Sequence, residues 1–470
     1  MVKPFSFPGL RIVEVTEKQI QQAGGRLDAG CFFSGFSGDQ QWATQPLAGH
    51  GGLTISGHRP RFKRPYVDFD GLPFYQPSQI CEVNPEPARL LAKSSKTEMA
   101  PLCVKAGQVL LTCSGTIGDA ALVGKTLDGA IFSHDLIRMD VSDSSPVGPG
   151  YIYAFLKTKR GKQAVVSHSY GAVIQHIEPE HLASVDVPIA EAPIADSINE
   201  AILKSFELRD ESNDLLALAR KKLLDSLALP PIDDLRKKRA GEFDQSVGVV
   251  NFEATLGDRM DASHYVPIAT TIEQLLPKHA PVVTTIGDAR ISGKIILPGQ
   301  FKRIYVEEGF GVPFIGGGEI GNLDPRTGKN LSWKEHKARI EKELTIKENQ
   351  VLLTCSGTIG RCNIAPKHWD GWAASQHMIR IQPVSPTMAG YIYAWLSTEY
   401  GRELVRRFTY GAVIDEIDAD HVSRVAIPLI NESALLEIGS LVLEASEKLY
   451  QAFLLEEQAV KDFDTKIWGT

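Results

Sequence analysis

The ten residues from Val109 to Gly118, VLLTCSGTIG, recur letter for letter from Val351 to Gly360. Identity of that length does not arise by chance within 470 residues, so the fold must be one that can be written twice. Downstream, GYIYAFL at Gly150 answers GYIYAWL at Gly390, and YGAVI at Tyr170 answers YGAVI at Tyr410, both 240 positions on. The register continues through Ile177 and Ile417, His181 and His421, Val185 and Val425, and Pro188 and Pro428. Upstream, Phe62-Lys63-Arg64 answers Phe301-Lys302-Arg303, and Gly71-Leu72-Pro73-Phe74 answers Gly311-Val312-Pro313-Phe314. Leu27-Asp28-Ala29 answers Met260-Asp261-Ala262. Two long units argue against a solenoid and for tandem domains.

Each unit reads as a mixed α+β domain followed by a helix. Apolar runs at Gln108 to Thr112, Leu136 to Met139 and Val185 to Ile189 predict strands, and Tyr151 to Val166 carries a helical pattern. After Pro193 the chain is free of Gly and Pro and rich in Leu, Ala, Glu and Lys until Pro230-Pro231, which a helix does not cross comfortably. At ~1.5 Å per residue that helix is roughly 50 Å long. Its partner, Glu432 to Ile467, carries a stripe of Leu435, Ile438, Val442, Ala445, Leu449, Ala452, Glu456, Ala459 and Phe463. The matching stripe is Ala195, Ile198, Ile202, Ser205, Arg209, Ser212, Leu216, Ala219 and Leu223. Spacing of three and four with one charged place in each stripe, Arg209 and Glu456, suits pairing of the two helices, the other reading being that each packs on its own domain.

The expected fold class is therefore α+β: a tandem repeat of two α/β recognition domains, each followed by a long helix, the helices pairing as an antiparallel coiled coil. The expected boundaries are 1–190 for the first domain, 191–229 for its helix, 230–258 for a polar linker, 259–430 for the second domain and 431–470 for its helix.

Composition bounds the function. Hydrophobic residues at 43% and charged residues at 23% suit a globular protein, and no apolar run approaches a membrane span. The N-terminal residues lack a secretory pattern, which predicts a cytoplasmic protein without a membrane partner. Six cysteines without a C-x-x-C pair give neither a zinc knot nor a disulfide framework. The net charge of −7 is unusual for a nucleic-acid binder, but basic residues cluster locally: Arg59, Arg61, Lys63 and Arg64; Lys157 to Lys162; and Arg236 to Arg239. Local basic faces can meet phosphate while acidic surface elsewhere faces partners.

Taken together, the paired R-L-D-A-type openings (Arg26 to Ala29, Arg259 to Ala262), the doubled S-G-T block, the later Tyr-Gly elements and the two long helices resemble the specificity subunits of type I restriction-modification systems. The resemblance covers nearly the whole chain. It implies a non-catalytic DNA-recognition subunit that reads a bipartite target, one half-site per domain, with the helices as a ruler. It further implies double-stranded DNA and two methyltransferase subunits as partners, joined in the restriction form by two motor-nuclease subunits. No cofactor or metal is expected in this chain; S-adenosylmethionine, ATP and Mg²⁺ belong to the partners. Independently, antiparallel pairing of tandem units gives a pseudo-two-fold reader, which suits half-sites about one DNA turn, ~34 Å, apart.

Site residues follow from the recurring positions. Arg59, Arg61, Lys63 and Arg64 with Lys302 and Arg303 are candidate phosphate ligands beside Tyr66 and Tyr305, a solvated charged loop being the other reading. Ser114, Thr116, Ser356 and Thr358 lie in the S-G-T turns, whose amides or hydroxyls are further candidates. Ile198, Ile202, Leu216, Leu223, Leu435, Ile438, Val442, Leu449 and Phe463 are the helix-pairing candidates. Tyr170 and Tyr410 are read as core aromatics in preference to DNA contacts, the other reading.

Enzymatic readings do not survive comparison of the units. A hydrolase using Cys113 or Cys355 needs a positioned base, but Phe132-Ser133-His134-Asp135 aligns with Ala374-Ser375-Gln376-His377, so the histidine shifts by one place. The cysteines are expected to pack behind buried strands. Gly118 and Gly124-Lys125-Thr126 miss the phosphate-loop spacing, and Gly316-Gly317-Gly318 answers Gln76-Pro77-Ser78. No Asn/Asp-Pro-Pro-Tyr/Phe element of an amino-methyltransferase is present. The rival functions are a scaffold of a defence complex that does not read sequence, and a stand-alone DNA-binding regulator.

Overall fold

The computed structural model describes residues 14–22, 42–48, 54–56, 62–67, 70–171, 175–236, 259, 264 and 267–469. Arg59, Arg61, the R-L-D-A openings other than Arg259, the run 237–239 and the rest of the linker to 258, and the segment 172–174 lie outside the described residues. The chain forms two compact units, one of Met1–Cys81, Pro85–Glu207 and Leu454–Thr470, the other of Glu82–Asn84 and Leu208–Phe453. Each unit thus contains part of both long helices.

In the first unit, Thr54–Ser56, Leu136–Asp140, Val109–Thr112 and Ala120–Leu122 lie side by side in that order as an antiparallel sheet. Tyr66–Val67, Arg89–Leu91, Leu72–Tyr75 and Ile131–Phe132 form a second sheet, closed by one parallel pair. Thr44–Pro46 pairs with Asp186–Pro188. The second unit carries the same orders: Ser292–Ile296, Met378–Pro383, Val351–Thr354, Cys362–Ile364; then Tyr305–Val306, Asn330–Ser332, Gly311–Ile315, Ala373–Ala374; then Val282–Thr285 with Ala426–Leu429.

Period-two alternation with both faces covered explains why VLLT is buried throughout. Val109 and Leu111 face the cluster built on Tyr151, Ile152 and Phe155, while Leu110 faces Phe132, Leu136 and Val104. Val351 and Leu353 face Tyr391, Ile392 and Trp395 in the same way, with Leu352 turned to Ile315, Trp369 and Met378. Both sides of the strand are dry, and the one polar side chain in each, Thr112 or Thr354, has its hydroxyl hydrogen-bonded by the backbone of the following turn.

The single helix expected over Tyr151 to Val166 is two, Pro149–Lys157 and Lys159–Ser167. Thr158 is extended (ψ 151°), donates from Oγ1 to Phe155 O (2.7 Å) and accepts from Gly161 N (2.9 Å), so it caps the second helix. A Cβ on Gly161 would stand 1.9 Å from Phe155 O, so only glycine closes this corner. Thr398 and Gly401 repeat the arrangement.

The long helices span Ala192–Leu227 and Glu432–Asp462, the latter followed by a π-helical turn, Phe463–Ile467. All nine stripe positions of the first are buried; in the second, Leu435 and Leu449 are half-buried and the other seven are buried. Glu456 meets Lys157 at 3.3 Å, which accounts for a carboxylate within an apolar stripe. In the second unit, Lys222–Glu437 (2.7 Å) and Lys448–Glu211 join the two helices, the numbering rising along one as it falls along the other. In the first unit, Ile198 and Ile202 share a core with Ala459, Phe463 and Ile467. Among the described residues no helix is long and apolar enough to cross a membrane.

Phe463 is fully buried, its ring 4.9 Å from Tyr151, 6.0 Å from Phe155 and 5.9 Å from Trp468. Phe463→Ala is expected to cost about 3–5 kcal/mol, read as a lowered denaturant midpoint. Lys448→Met, which removes a part-exposed ion pair, should cost under about 1 kcal/mol in the same measurement.

Candidate nucleic-acid interface

The identical blocks fold into an identical turn. Gly115 and Gly118 stand at φ 75° and 90°, Gly357 and Gly360 at 74° and 87°, in the left-handed region that favours glycine. Gly118 N donates to Thr112 O (3.2 Å) and Asp119 N to Thr112 Oγ1 (3.0 Å); Gly360 and Arg361 do the same to Thr354. Gly115 N donates to Gln175 O (3.1 Å) and Gly357 N to Asp415 O (2.9 Å), tying each turn to the segment after its Tyr-Gly element. These glycine amides are therefore committed within the fold. Ser114 and Ser356 are half-buried, whereas Thr116 and Thr358 face solvent.

Lys63 and Lys302 are exposed, while Arg64 and Arg303 turn inward, as alternation along an extended segment requires. The Arg64 guanidinium lies 5.5 Å from the Phe62 ring and 5.7 Å from Phe74; Arg303 lies 5.4 Å from Phe314. Arg64 Nη2 is 3.0 Å from His134 Nδ1 and 3.8 Å from Asp135 Oδ2. Arg303 Nη2 donates to Gln376 Oε1 at 2.6 Å. The pairs expected to act alike thus divide: the lysines can meet a ligand, and the arginines hold a polar turn beside them. Tyr66 and Tyr305 are exposed at the edge of the same sheets and contact Phe74 and Phe314.

His134 and His377 lie in the turns Ser133 to Asp135 and Ser375 to His377 between strands, not on strands as the one-place shift assumed. These turns are fastened to the S-G-T block, since Cys113 N donates to Asp135 O (3.4 Å) and Cys355 N to His377 O (3.2 Å). The Cys113 and Cys355 thiols are buried in the core, and burial, the first cause in each, pushes both up to about 12. A thiol so held is not a nucleophile near neutrality.

Tyr170 and Tyr410 are 42% and 39% exposed, which corrects their expected place in the core. The Tyr170 hydroxyl donates to Glu178 Oε1 (2.6 Å), and each ring rests on a histidine, His181 or His421, at 5.4 or 5.5 Å. In the second unit the apolar motif that follows the tyrosine is itself a surface loop, with Val413 97% exposed. Two further residues escaped sequence reading. Arg138 and Arg380 are buried, Arg138 donating to Leu136 O (3.1 Å) and Leu102 O (3.0 Å), Arg380 to Thr345 O (2.5 Å) and Glu343 O. Their signal is an arginine at the same place in two apolar strands. Arg259 donates to Phe408 O and Thr409 O, both at 2.6 Å, so it braces the segment before Tyr410. Among the described residues, no group of three or more His, Cys, Asp or Glu is placed to hold a metal ion.

No protein-family model and no curated protein matches the chain. Solved structures similar to it over most of its length are subunits of type I restriction-modification systems. One is the S subunit from M. genitalium, 12% identical, with 91% of this chain and 97% of that one covered and a TM-score of 0.35. A second is the HsdS subunit from Thermoanaerobacter tengcongensis, 12% identical, covering 89% and 97%, with a TM-score of 0.28. A third comes from a structure on complex assembly and conformational transition of the type I R-M system, 15% identical, covering 91% and 97%, with a TM-score of 0.28.

Cys113 and Cys355 should resist iodoacetamide at pH 8 in the folded protein and label once it is unfolded, as read by peptide mass spectrometry. Labelling of either at the rate of a free thiol would place it outside the core.

Proposed function

We propose that the chain is the DNA-recognition subunit of a type I restriction-modification complex, reading a bipartite target with one half-site per unit. The observation that carries this reading is the doubled frame itself: in each unit an exposed lysine and tyrosine flank an inward arginine stacked on a phenylalanine, beside an identical S-G-T turn. Paired basic and aromatic groups suit phosphate and base contact, and pairing suits two half-sites. The sequence resemblance supports the same reading. The long helices act as an antiparallel ruler, for which the opposed numbering of Lys222–Glu437 and Lys448–Glu211 is the support. Two methyltransferase subunits dock on the chain, with motor-nuclease subunits in the restriction form; S-adenosylmethionine, ATP and Mg²⁺ bind those partners. The chain contributes recognition, not chemistry.

The deciding experiment is to express the chain with a methyltransferase partner and map methylated positions in host DNA. A single split motif supports the proposal; methylation without a motif would leave a scaffold that does not read sequence. Lys63→Glu and Lys302→Glu should each weaken DNA binding of the assembled complex across all sequences and lower the salt slope by about 1. An unchanged slope would make both ordinary surface lysines.

The ruler has its own test. One heptad is inserted into each long helix, between Glu211 and Lys222 and between Glu437 and Lys448, so that the apolar stripes and both ion pairs keep their register. The half-sites should remain and the gap between them lengthen by about three base pairs, from ~10 Å of added helix. Altered half-sites with an unchanged gap would show that the helices themselves read sequence.

A further inference from the structure

The two units share a frame but differ in the polar turn it holds, and the difference reverses hydrogen-bond polarity. In the second unit the order of donors is fixed from the arginine outward. Arg303 has only donors, so the atom of Gln376 it meets at 2.6 Å must be the carbonyl oxygen, which leaves Gln376 Nε2 as a donor. That amide lies 3.1 Å from His377 Nε2, which must accept, so the neutral imidazole carries its proton on Nδ1. His377 therefore offers an N–H donor from a half-buried position.

The first unit starts from the same arginine and ends on the opposite polarity. Arg64, again donor only, meets His134 Nδ1 at 3.0 Å, so that nitrogen accepts and the proton sits on Nε2; Asp135 Oδ1 lies 3.3 Å from Nε2, an electrostatic contact rather than a hydrogen bond. Ser133 Oγ donates to Asp135 Oδ2 at 3.0 Å. Asp135, 28% exposed, is held as an acceptor. Other changed positions are otherwise engaged: Asp119 meets Lys162 (2.7 Å), its counterpart Arg361 meets Glu82 (2.6 Å), and Asp70 meets Lys93 (2.5 Å).

Resting on the proposed DNA-reading function, we propose that Asp135 and His377 are base-reading residues of the two units. Asp135 takes an amino-bearing base edge, cytosine N4 or adenine N6, and His377 takes an acceptor edge, guanine O6 or N7. Arg64 and Arg303 act through His134 and Gln376 as positioning residues. Their aromatic stacking and inward placement leave phosphate contact to Lys63 and Lys302.

The test uses the assembled complex with its methyltransferase partner, methylation mapping, and duplexes carrying the mapped site with each base replaced in turn. The double variant His134→Gln, Asp135→His gives the first turn the chemistry of the second. It is expected to change one position of one half-site toward guanine, to weaken the original site roughly ten- to hundredfold, and to leave the other half-site untouched. Asp135→Asn is the milder variant and should relax discrimination at that same position. A folded Asp135→Asn protein with unchanged base preference would overturn the assignment, whether or not the double variant folds. A uniform loss of affinity at every sequence would do so as well. Wild-type complex that methylates without any motif would sink the DNA-reading function itself, a result visible before any variant is made.

Discussion

The burial of Phe463 against Tyr151 and Phe155 is the contact on which the first unit depends, because it closes a core with residues from the far end of the chain. Trp42 reinforces that closure by donating from Nε1 to Lys466 O across 424 residues. The second unit has the converse need: Leu216, Ala219, Leu223 and Leu227, from the helix that follows the first domain, belong to its core. Neither core is complete within one repeat. Closing such loops carries an entropic cost that local contacts do not, so the long helices must be held by dense burial rather than by surface charge. The dryness of both stripes meets that demand. Lys157–Glu456 and Lys448–Glu211 then serve register more than stability.

Much of this was legible in the sequence where a period was long enough to repeat. Residues three and four apart in each long helix are buried as their spacing predicts, from Ala195 to Leu223 and from Ile438 to Phe463 with Leu449 half-buried. The strand VLLT was legible too, because three apolar residues and a β-branched threonine between turn glycines have few other uses. What was not legible is non-local. Two-residue strands such as Tyr66–Val67 and Ile131–Phe132 have no period of their own and exist because Arg89–Leu91 and Leu72–Tyr75 pair with them. The break at Thr158 was present in the letters, since Thr-x-x-Gly permits a cap, but the apolar pattern on either side outweighed it.

At the candidate interface, residues that the sequence presents as equivalent have different surroundings. Lys63-Arg64 and Lys302-Arg303 read as equivalent cations. Alternation places the lysines in solvent and folds the arginines onto Phe74 and Phe314. A guanidinium stacked on a ring and bonded to a polar turn is restrained in both plane and direction, which a lysine ammonium could not be. The net charge of −7 is compatible with a basic face that is local.

The same restraint explains how two nearly identical frames can differ in what they present. A guanidinium offers donors alone, so the first side chain it meets must accept, and the chemistry of that side chain decides what the next one offers. Histidine in that place accepts from Arg64, and Asp135 beside it, bonded by Ser133, leaves an acceptor that is part-exposed. Glutamine in that place turns its amide toward His377 and leaves a donor. The outer residue is set by its neighbours: the glutamine removes the ambiguity of the imidazole tautomer, and Ser133 holds the carboxylate. Because Cys113 N and Cys355 N grip the backbone of these outer residues from the invariant S-G-T turns, changing two letters alters polarity without moving the chain. A frame fixed by buried apolar strands thus holds, in the two units of one polypeptide, turns that differ in hydrogen-bond chemistry.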